Sequence, residues 1–412
     1  VPFFIDNEIK FNQLNLLLKN YDPKYIWVPK NKNLFKNSSD YIFKYQIYNY
    51  QLFEKKKHKY FKINSKLSTL ASTSGSTGNP KYIRQSYKNL KSNTICISDY
   101  LKINDKSVTI TTLPMSYTFG QSIINTHLYK GGSIILSKYS IIQNNFWKLF
   151  KINKVNYLYG VPYVFEMLNK LNFFSDINSS LKVLAQAGGR LSNTLQKIIS
   201  NYAIKTKINF YVMYGQAEAT TRISFLKPSM SSKKIGSIGK PLKKGKMILI
   251  DKNKKEIKVK NKSGNLFYRG PNVCMGYSIN KYDLLKGDEW KGYLATGDIA
   301  YKDKFGYFYI VGREKRICKI YGKSINLDDI ENKLTTFFKN TEFVVISNDI
   351  NIYILHNNKK RKYENELCRF LKNKIHLNLS IYKFKYLNEI PKKKSGKKDY
   401  IKLENKLKYN FF

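Results

Sequence analysis

The chain has 412 residues, 42% of them apolar, which is enough to fill more than one core and excludes a disordered tail. Its formal net charge of +46 would ordinarily point to nucleic acid or an anionic membrane, yet only eight of its 74 cations are arginines, the better group for bidentate phosphate and guanine contacts. The charge is also spread along the whole chain rather than gathered in one arm, so it argues for weak, salt-sensitive adhesion to polyanions and against a dedicated nucleic-acid binder.

In chain order, VPFFID at the start reads as a strand, Phe11 to Leu18 as a helix, and YIWVP and LSTLAS as strands. A helix follows, on which Leu90, Thr94, Ile97 and Leu101 recur at helical spacing. The strand runs SVTITTL, GSIILS, VNYLYGV, LKVLAQAG and INFYVMYG come next, with helical segments such as Thr194 to Tyr202 between them. This alternation up to about residue 225 predicts βαβ units and a largely parallel sheet covered by helices. From about residue 236 the pattern changes to strands and hairpins: MILID, GNLFYRG, and IAYKD followed by YFYIVG across the turn Asp303 to Gly306.

After GREKR at 312 to 316 comes a small α+β region. It holds ICKIYG, a helix Leu327 to Phe338 capped by Asn326, the strands FVVIS and IYIL, a helix from Arg361 to Ile375, and a basic tail. The expected architecture is α/β: a large domain over residues 1–314 with a β-rich subdomain from about 236, then a small α+β domain over 315–412.

Cys96, Cys274, Cys318 and Cys368 lie far apart with no CxxC and no clustered histidines, so neither a disulfide framework nor a zinc site is indicated. No run approaches the roughly 18 apolar residues of a membrane span, and the start does not resemble a signal peptide. A cytoplasmic location is the expectation.

The densest chemical signal is Thr73-Ser74-Gly75-Ser76-Thr77-Gly78-Asn79-Pro80-Lys81, directly after LSTLAS. Two glycines let the backbone turn tightly and expose N–H groups, the hydroxyls add donors, and Lys81 supplies a cation, a combination suited to a polyphosphate. By composition alone the same string also reads as a Ser/Thr-rich surface loop, because the GxxxxGK[ST] spacing and the GxGxxG fingerprint are absent.

This loop and the strings that follow it resemble, in order, the adenylate-forming (AMP-binding) superfamily of acyl-CoA synthetases, luciferases and peptide-synthetase adenylation domains. Thr73 to Lys81 matches its phosphate loop, Leu113-Pro114 with Gly120 and Gly131-Gly132 the next motif, and Ala187-Gly188-Gly189 the turn beside the adenine. Tyr214-Gly215-Gln216-Ala217-Glu218 matches "YGxTE". Gly264 to Tyr277, Thr296-Gly297-Asp298, Gly312-Arg313 through Gly322, and Pro391 to Lys397 complete the series.

The resemblance implies a ligase that binds MgATP and a small carboxylic acid, forms an acyl-adenylate with loss of pyrophosphate, and passes the acyl group to CoA or a phosphopantetheinyl carrier protein. It implies that Thr73 to Gly78 and Lys81 hold the phosphates, that Gly188, Gly189, Tyr214 and Gly215 frame the adenine, and that Asp298 and Arg313 hold the ribose. Glu218 would bind Mg²⁺, Lys397 would stabilise charge as the acyl–phosphate bond forms, and the small domain would rotate about Lys315. Tyr117, Phe119, Gly160, Val161 and Gln186 are the candidate lining of the acyl pocket.

Physical chemistry accommodates these assignments. Gly188 and Tyr214 end predicted parallel strands, and open α/β sheets bind ligands at the carboxyl ends of their strands. A Tyr there can stack on adenine, or simply fill the core. A carboxylate among phosphate-binding groups needs an intervening cation, which suits Glu218 and Mg²⁺. Counting outward from the turn at Asp303 to Gly306 puts Asp298 opposite about residue 311, near Arg313.

The chain also departs from the pattern. Ala217 replaces a Thr, removing one hydroxyl contact worth about 0.5 to 1.5 kcal/mol, and Tyr117 stands where acyl-CoA synthetases often carry His. No Asp or Glu occurs from Thr111 to Gly131, where amino-acid-activating relatives place an aspartate, so an α-amino acid is disfavoured. The chain begins at Val1 inside an expected strand, and relatives have more chain ahead of the phosphate loop, so one or more βα modules are expected to be missing. The alternatives are a catalytically impaired remnant of the family and a lysine-rich nucleic-acid-binding protein on the same scaffold.

Overall fold

The computed structural model describes residues 1–412 except 7, 8, 10, 33, 34, 36, 37, 73–80, 176–179, 321, 322, 349, 361, 362, 375–378, 394, 395 and 409–412. VPFFID is not a strand. Pro2 has no N–H to extend a ladder, and Phe3 makes one isolated parallel bridge to Leu70 while its ring packs on Tyr21 and Tyr82. Helix α1 (Phe11–Tyr21) then joins two small antiparallel sheets. Its Leu14 packs with Val28 and Phe53, and its Leu17 and Tyr21 pack with Leu67 and Tyr82. The first sheet holds β1 (Tyr25–Pro29), β2 (Tyr41–Ile47) and β3 (Tyr50–Lys55) in the order β1-β3-β2; the second contains the hairpin of β4 (Leu67–Ser72) and β5 (Tyr82–Ser86). The expected βαβ alternation therefore does not begin at the N-terminus. Strands β2 and β3 are joined by only Tyr48 and Asn49, and a connection that short permits only antiparallel pairing.

The parallel sheet starts after α2 (Tyr87–Tyr100), whose first turn is held by a reciprocal cap between Ser86 and Asn89. In sequence come β6 (Val108–Ile110), α3 (Thr118–Tyr129), β7 (Ser133–Ile135), α4 (Asn144–Ile152), β8 (Tyr157–Gly160), α5 (Pro162–Lys170), β9 (Val183–Gln186), α6 (Asn193–Thr206) and β10 (Asn209–Tyr214). Strands β11 (Ser224–Leu226) and β12 (Lys240–Pro241) complete a sheet of order β12-β11-β10-β9-β8-β6-β7. Every pairing from β7 to β10 is parallel, and β11 and β12 are antiparallel. Strands β8 and β9 are buried on both faces, as a helix-covered parallel sheet requires, and Leu158, Phe165, Leu184, Ile199 and Phe210 are fully enclosed between layers.

The β-rich region is an antiparallel sheet of β13 (Lys246–Ile250), β14 (Gly264–Arg269), β16 (Tyr293–Lys302) and β17 (Phe308–Arg313), with β15 (Gly276–Ser278) leaving it to pair with β5. The remaining elements are β18 (Ile317–Ile320), β19 (Lys323–Asn326), α7 (Leu327–Phe337), β20 (Phe343–Ser347), β21 (Ile352–His356), α8 (Tyr363–Lys374), β22 (Tyr382–Tyr386) and α9 (Tyr400–Lys408). They enclose their own core around Leu334, Phe343, Ile354, Leu367 and Leu371. The architecture is the expected α/β one: a large lobe of parallel-rich sheets and helices with a β-rich part, followed by a small α+β lobe.

Candidate active site

All strands from β7 to β10 run the same way, so their carboxyl ends open on one edge. At that edge Tyr214 closes β10, and its hydroxyl donates a hydrogen bond to Asp298 Oδ2. The carboxylate of Asp298, 4% exposed on β16, also accepts from Gln216 Nε2 at 3.1 Å and pairs through Oδ1 with Arg313 Nε at 3.2 Å. Burial and then the facing Asp298 charge raise the Tyr214 hydroxyl well above its ordinary range, so it acts as a donor. Residue 215 must be glycine, because a Cβ there would fall 1.8 Å from the Thr221 carbonyl oxygen and 2.7 Å from Arg222 Cα.

The partner of Asp298 differs from the count made on the sequence. Asp298 lies directly opposite Arg313 rather than residue 311: the pairing of Lys302 with Phe308 already points Asp298 at Gly312, and a β-bulge between Ile299 and Ala300, which leaves Val311 without a partner, adds one residue more. The two side chains meet because of the bulge.

Glu218 lies in a single helical turn just past Tyr214, and its Oε1 accepts a hydrogen bond from the Tyr277 hydroxyl at 3.0 Å. The Lys81 ammonium sits 5.8 Å from the centre of the Tyr277 ring. Strand β15, pairing with β5, therefore brings Lys81, Tyr277 and Glu218 into one cluster beside the β4–β5 connection. Thr73, Ser74, Gly75, Ser76, Thr77 and Gly78 lie outside the described residues. The end of β4 is tied to the next motif, since Ser72 Oγ donates to the Ser116 carbonyl at 3.0 Å.

Lys397 reaches this cluster from the small lobe. Residues Lys392 and Lys398 bridge antiparallel, and Gly396, at φ +74°, lies so close to α5 that a Cβ there would be 2.8 Å from Tyr163 Cβ. Lys392 and Lys398 are engaged within the small lobe, by Glu342 at 2.5 Å and Glu331 at 2.6 Å respectively. Lys397 instead has Arg313, Asp298 and Glu218 as its charged surroundings, together with Lys393. Burial, then the Arg313 and Lys393 charges, lowers its ammonium to about 8, against the opposing pull of Asp298 and Glu218. Lys315 is exposed, in the short turn between β17 and β18.

The pocket candidates divide. The Tyr117 and Phe119 rings meet edge-on at 6.4 Å, and the Tyr117 hydroxyl lies against Gly188. Gly189 is exposed and packs beside Pro162. Gly160 and Gln186 are register partners on the face of the sheet that carries α5, where Val164 and Phe165 crowd Gly160, so strand alternation turns them away from Phe119. Sequence reasoning missed Tyr277, Gln216 and the buried Arg222. Tyr277 ends a quoted motif and Gln216 sits inside one, but nothing local marks either as a partner for a carboxylate.

A parallel sheet whose carboxyl edge gathers Tyr214, Asp298 and Glu218, and a lysine delivered there by a second lobe, define a two-lobed α/β protein with one charged cleft. A family model described as AMP-binding enzyme matches residues 34–278, and the chain belongs to that family. It is 25% identical over 361 residues to a probable CoA ligase, CCL5, of Humulus lupulus, covering 83% of this chain and 65% of that relative. It is 28% identical over 268 residues to a 2-succinylbenzoate–CoA ligase of Bacillus cereus (strain ATCC 10987 / NRS 248), covering 65% of this chain and 54% of the relative. The chain thus spans less than two thirds of the length of these relatives. Among solved structures, O-succinylbenzoate coenzyme A synthetase (MenE) from Bacillus subtilis, in complex with ATP and magnesium ion, shares the fold with a TM-score of 0.69 at 22% identity, covering 86% of this chain and 73% of that one.

Proposed function

We propose that the protein activates a small carboxylic acid with MgATP and transfers the acyl group to a thiol. A carboxylate oxygen attacks the α-phosphorus, the bond to the β-phosphate breaks, and pyrophosphate leaves; the thiol then attacks the acyl carbon and AMP departs. The observation supporting this best is the convergence of Lys397 with Asp298, Arg313 and Glu218 at the carboxyl edge. Lys397, as an ammonium, stabilises negative charge on the carboxylate and α-phosphate during attack. Asp298 and Arg313 hold the ribose, Tyr214 and Gly188 frame the adenine, and Thr73 to Lys81 hold the phosphates, so catalysis is mainly positioning and electrostatics.

Among the described residues no cluster of three ligating side chains could hold a metal alone. Glu218, clustered with Tyr277 and Lys81, is the carboxylate that would hold magnesium, a hard cation that takes oxygen ligands. Bound there it would neutralise phosphate charge. CoA is the preferred thiol, supported by the CoA-ligase names of the relatives, with a phosphopantetheinyl carrier protein as the other acceptor.

We place the division between lobes at residue 314, with rotation about Lys315 between the two half-reactions. A cytoplasmic location agrees with the free cysteines Cys96, Cys274, Cys318 and Cys368, and among the described residues no helix is long and apolar enough to cross a membrane. Family membership leaves the nucleic-acid-binding alternative without support. The test is carboxylate-dependent exchange of labelled pyrophosphate into ATP with pooled acids. Lys397→Ala is expected to lower it by at least ~10²- to 10³-fold, with far less effect on thioester formation from supplied acyl-adenylate. Equal loss in both half-reactions would refute the role of Lys397, and no exchange from folded protein that binds MgATP would favour the impaired remnant.

A further inference from the structure

The buried arginines are not partnered alike. Arg84 pairs with Glu289, and Arg316 pairs with Asp328 at 2.8 Å and Glu331 at 3.1 Å. Arg222 is 3% exposed, yet among the described residues no carboxylate pairs with it. Its Nε faces Met213 Sδ at 3.4 Å, one Nη1 hydrogen reaches the Thr221 carbonyl at 3.3 Å, and its guanidinium carbon stacks 4.0 Å from the centre of the Phe119 ring. Tyr100, Tyr117 and Tyr159 are its other polar surroundings. These supply hydroxyls and ring faces but no negative charge, although a guanidinium stays protonated in proteins.

A buried cation without an anion is costly, and the missing group is not hidden in the neighbouring chain. No Asp or Glu occurs from Thr111 to Gly131, and the undescribed loop 73–80 contains none. A second unsatisfied group stands close by: among the described residues the buried Tyr159 hydroxyl has no hydrogen-bond partner, and its ring lies 6.4 Å from Phe119. Register puts Tyr159 level with Ala185, and Ala185 level with Tyr211, so Tyr159 and Met213 share one face of the sheet, the face to which Arg222 packs. The chain of contacts from Gly188 through Tyr117 and Phe119 ends on this cation.

We infer that Arg222, assisted by the Tyr159 hydroxyl, binds a second anionic group on the acid, so that the site selects dicarboxylates over monocarboxylates of equal length. This rests on the carboxylate-activating reading above. One carboxylate is activated near Lys397 while the other is held by the guanidinium fork, which suits a carboxylate better than a lysine would.

The experiment compares kcat/KM for pyrophosphate exchange within matched pairs: butyrate and succinate, hexanoate and adipate, 3-phenylpropionate and 3-(4-carboxyphenyl)propionate. The wild-type protein is expected to favour the diacid at least ~100-fold in one pair, because a buried group left unpaired discriminates strongly. Arg222→Gln is expected to bring that ratio toward one, Arg222→Lys to retain part of it, and Tyr159→Phe to reduce it about tenfold. A monoacid preference in every pair, measured on the wild type alone and so independent of how the variants fold, overturns the proposal while leaving adenylation standing. A diacid preference that survives in folded Arg222→Gln overturns it equally. Should no acid support exchange, the adenylation reading fails, and thermal stabilisation by the three diacids decides the site separately. A shift in the wild type that Arg222→Gln lacks upholds the anion site; no shift overturns it.

Discussion

Lys397 has a lowered proton affinity because it is half-buried and faces Arg313 and Lys393, and this ties the proposed first half-reaction to pH. In the role proposed for Lys397 the cation is the form that stabilises developing negative charge, so adenylation kcat/KM should hold below pH 8 and fall as pH rises through about 8. An unperturbed lysine would place that fall near 10.4. Lys397→Arg should be slower but lose the alkaline decline, because a guanidinium does not deprotonate in this range. Stability carries the opposite sign: between about 8 and the unfolded value the unfolded chain binds the extra proton, so the penalty for the charged amine is fully present below 8 and is relieved as pH rises. A pH–rate profile of pyrophosphate exchange checks the first claim, and an alkaline limb of Lys397→Arg identical to the wild type's would assign the titration to another group. The motif around Lys397 was readable in the sequence, but its environment was not, because Asp298, Glu218 and Arg313 come from other parts of the chain. Arg222 shows the same limit: nothing near it in sequence reveals that it is buried or that, among the described residues, no carboxylate pairs with it.

At the scale of elements, Asn326 has two duties. Its Oδ1 caps α7 by accepting from the Asp328 and Asp329 amides at 3.0 and 3.2 Å, and its Nδ2 donates to the Val311 carbonyl at 3.3 Å, on the residue that the β17 bulge leaves without a strand partner. Asn326→Ala should cost about 1 kcal/mol in urea unfolding through the cap alone. Asn326→Asp should keep the cap and lose only the link to β17, so a larger loss in Asp than in Ala would contradict this division of roles. The cap was legible because a polar residue before an apolar helical period is a local signal. The parallel strands β6 to β10 were legible for the same reason, as short apolar runs separated by helical periods. Strands β2 and β3 were not, because their turn is Tyr48-Asn49, with Tyr48 at φ +51°, rather than the Asn-Gly or Asp-Gly pair that announces a tight hairpin. The bulge at Val311 was equally silent, since register is decided by what the strands pack against and not by the turn alone.

For the whole molecule, the decisive contact is between lobes. The small lobe touches the large one where Gly396 lies on Tyr163 and where the Lys392 ammonium stands 5.9 Å from the centre of the same ring, and the α7 N-terminus adds Asp328 and Asp329 within electrostatic reach of Arg190, next to the Gly188–Gly189 turn. In this arrangement Lys397 faces Asp298, Glu218 and Arg313, which under the function proposed above is the arrangement for the first half-reaction. A side chain at residue 396 would meet two obstacles: the backbone is in the left-handed region at φ +74°, and Tyr163 Cβ would be 2.8 Å away. Gly396→Val should therefore push the hairpin off α5 and withdraw Lys397, cutting pyrophosphate exchange by ~10² or more, the order expected from removing one electrostatic stabiliser. Thioester formation from supplied acyl-adenylate, which in the proposed cycle follows rotation of the lobe, should change only a few-fold. The small-lobe core around Leu334 and Phe343 lies elsewhere, so the melting temperature should barely move. Parallel loss of both half-reactions in a folded Gly396→Val protein would mean that one orientation of the lobes serves both steps, and rotation about Lys315 would have no part in the cycle.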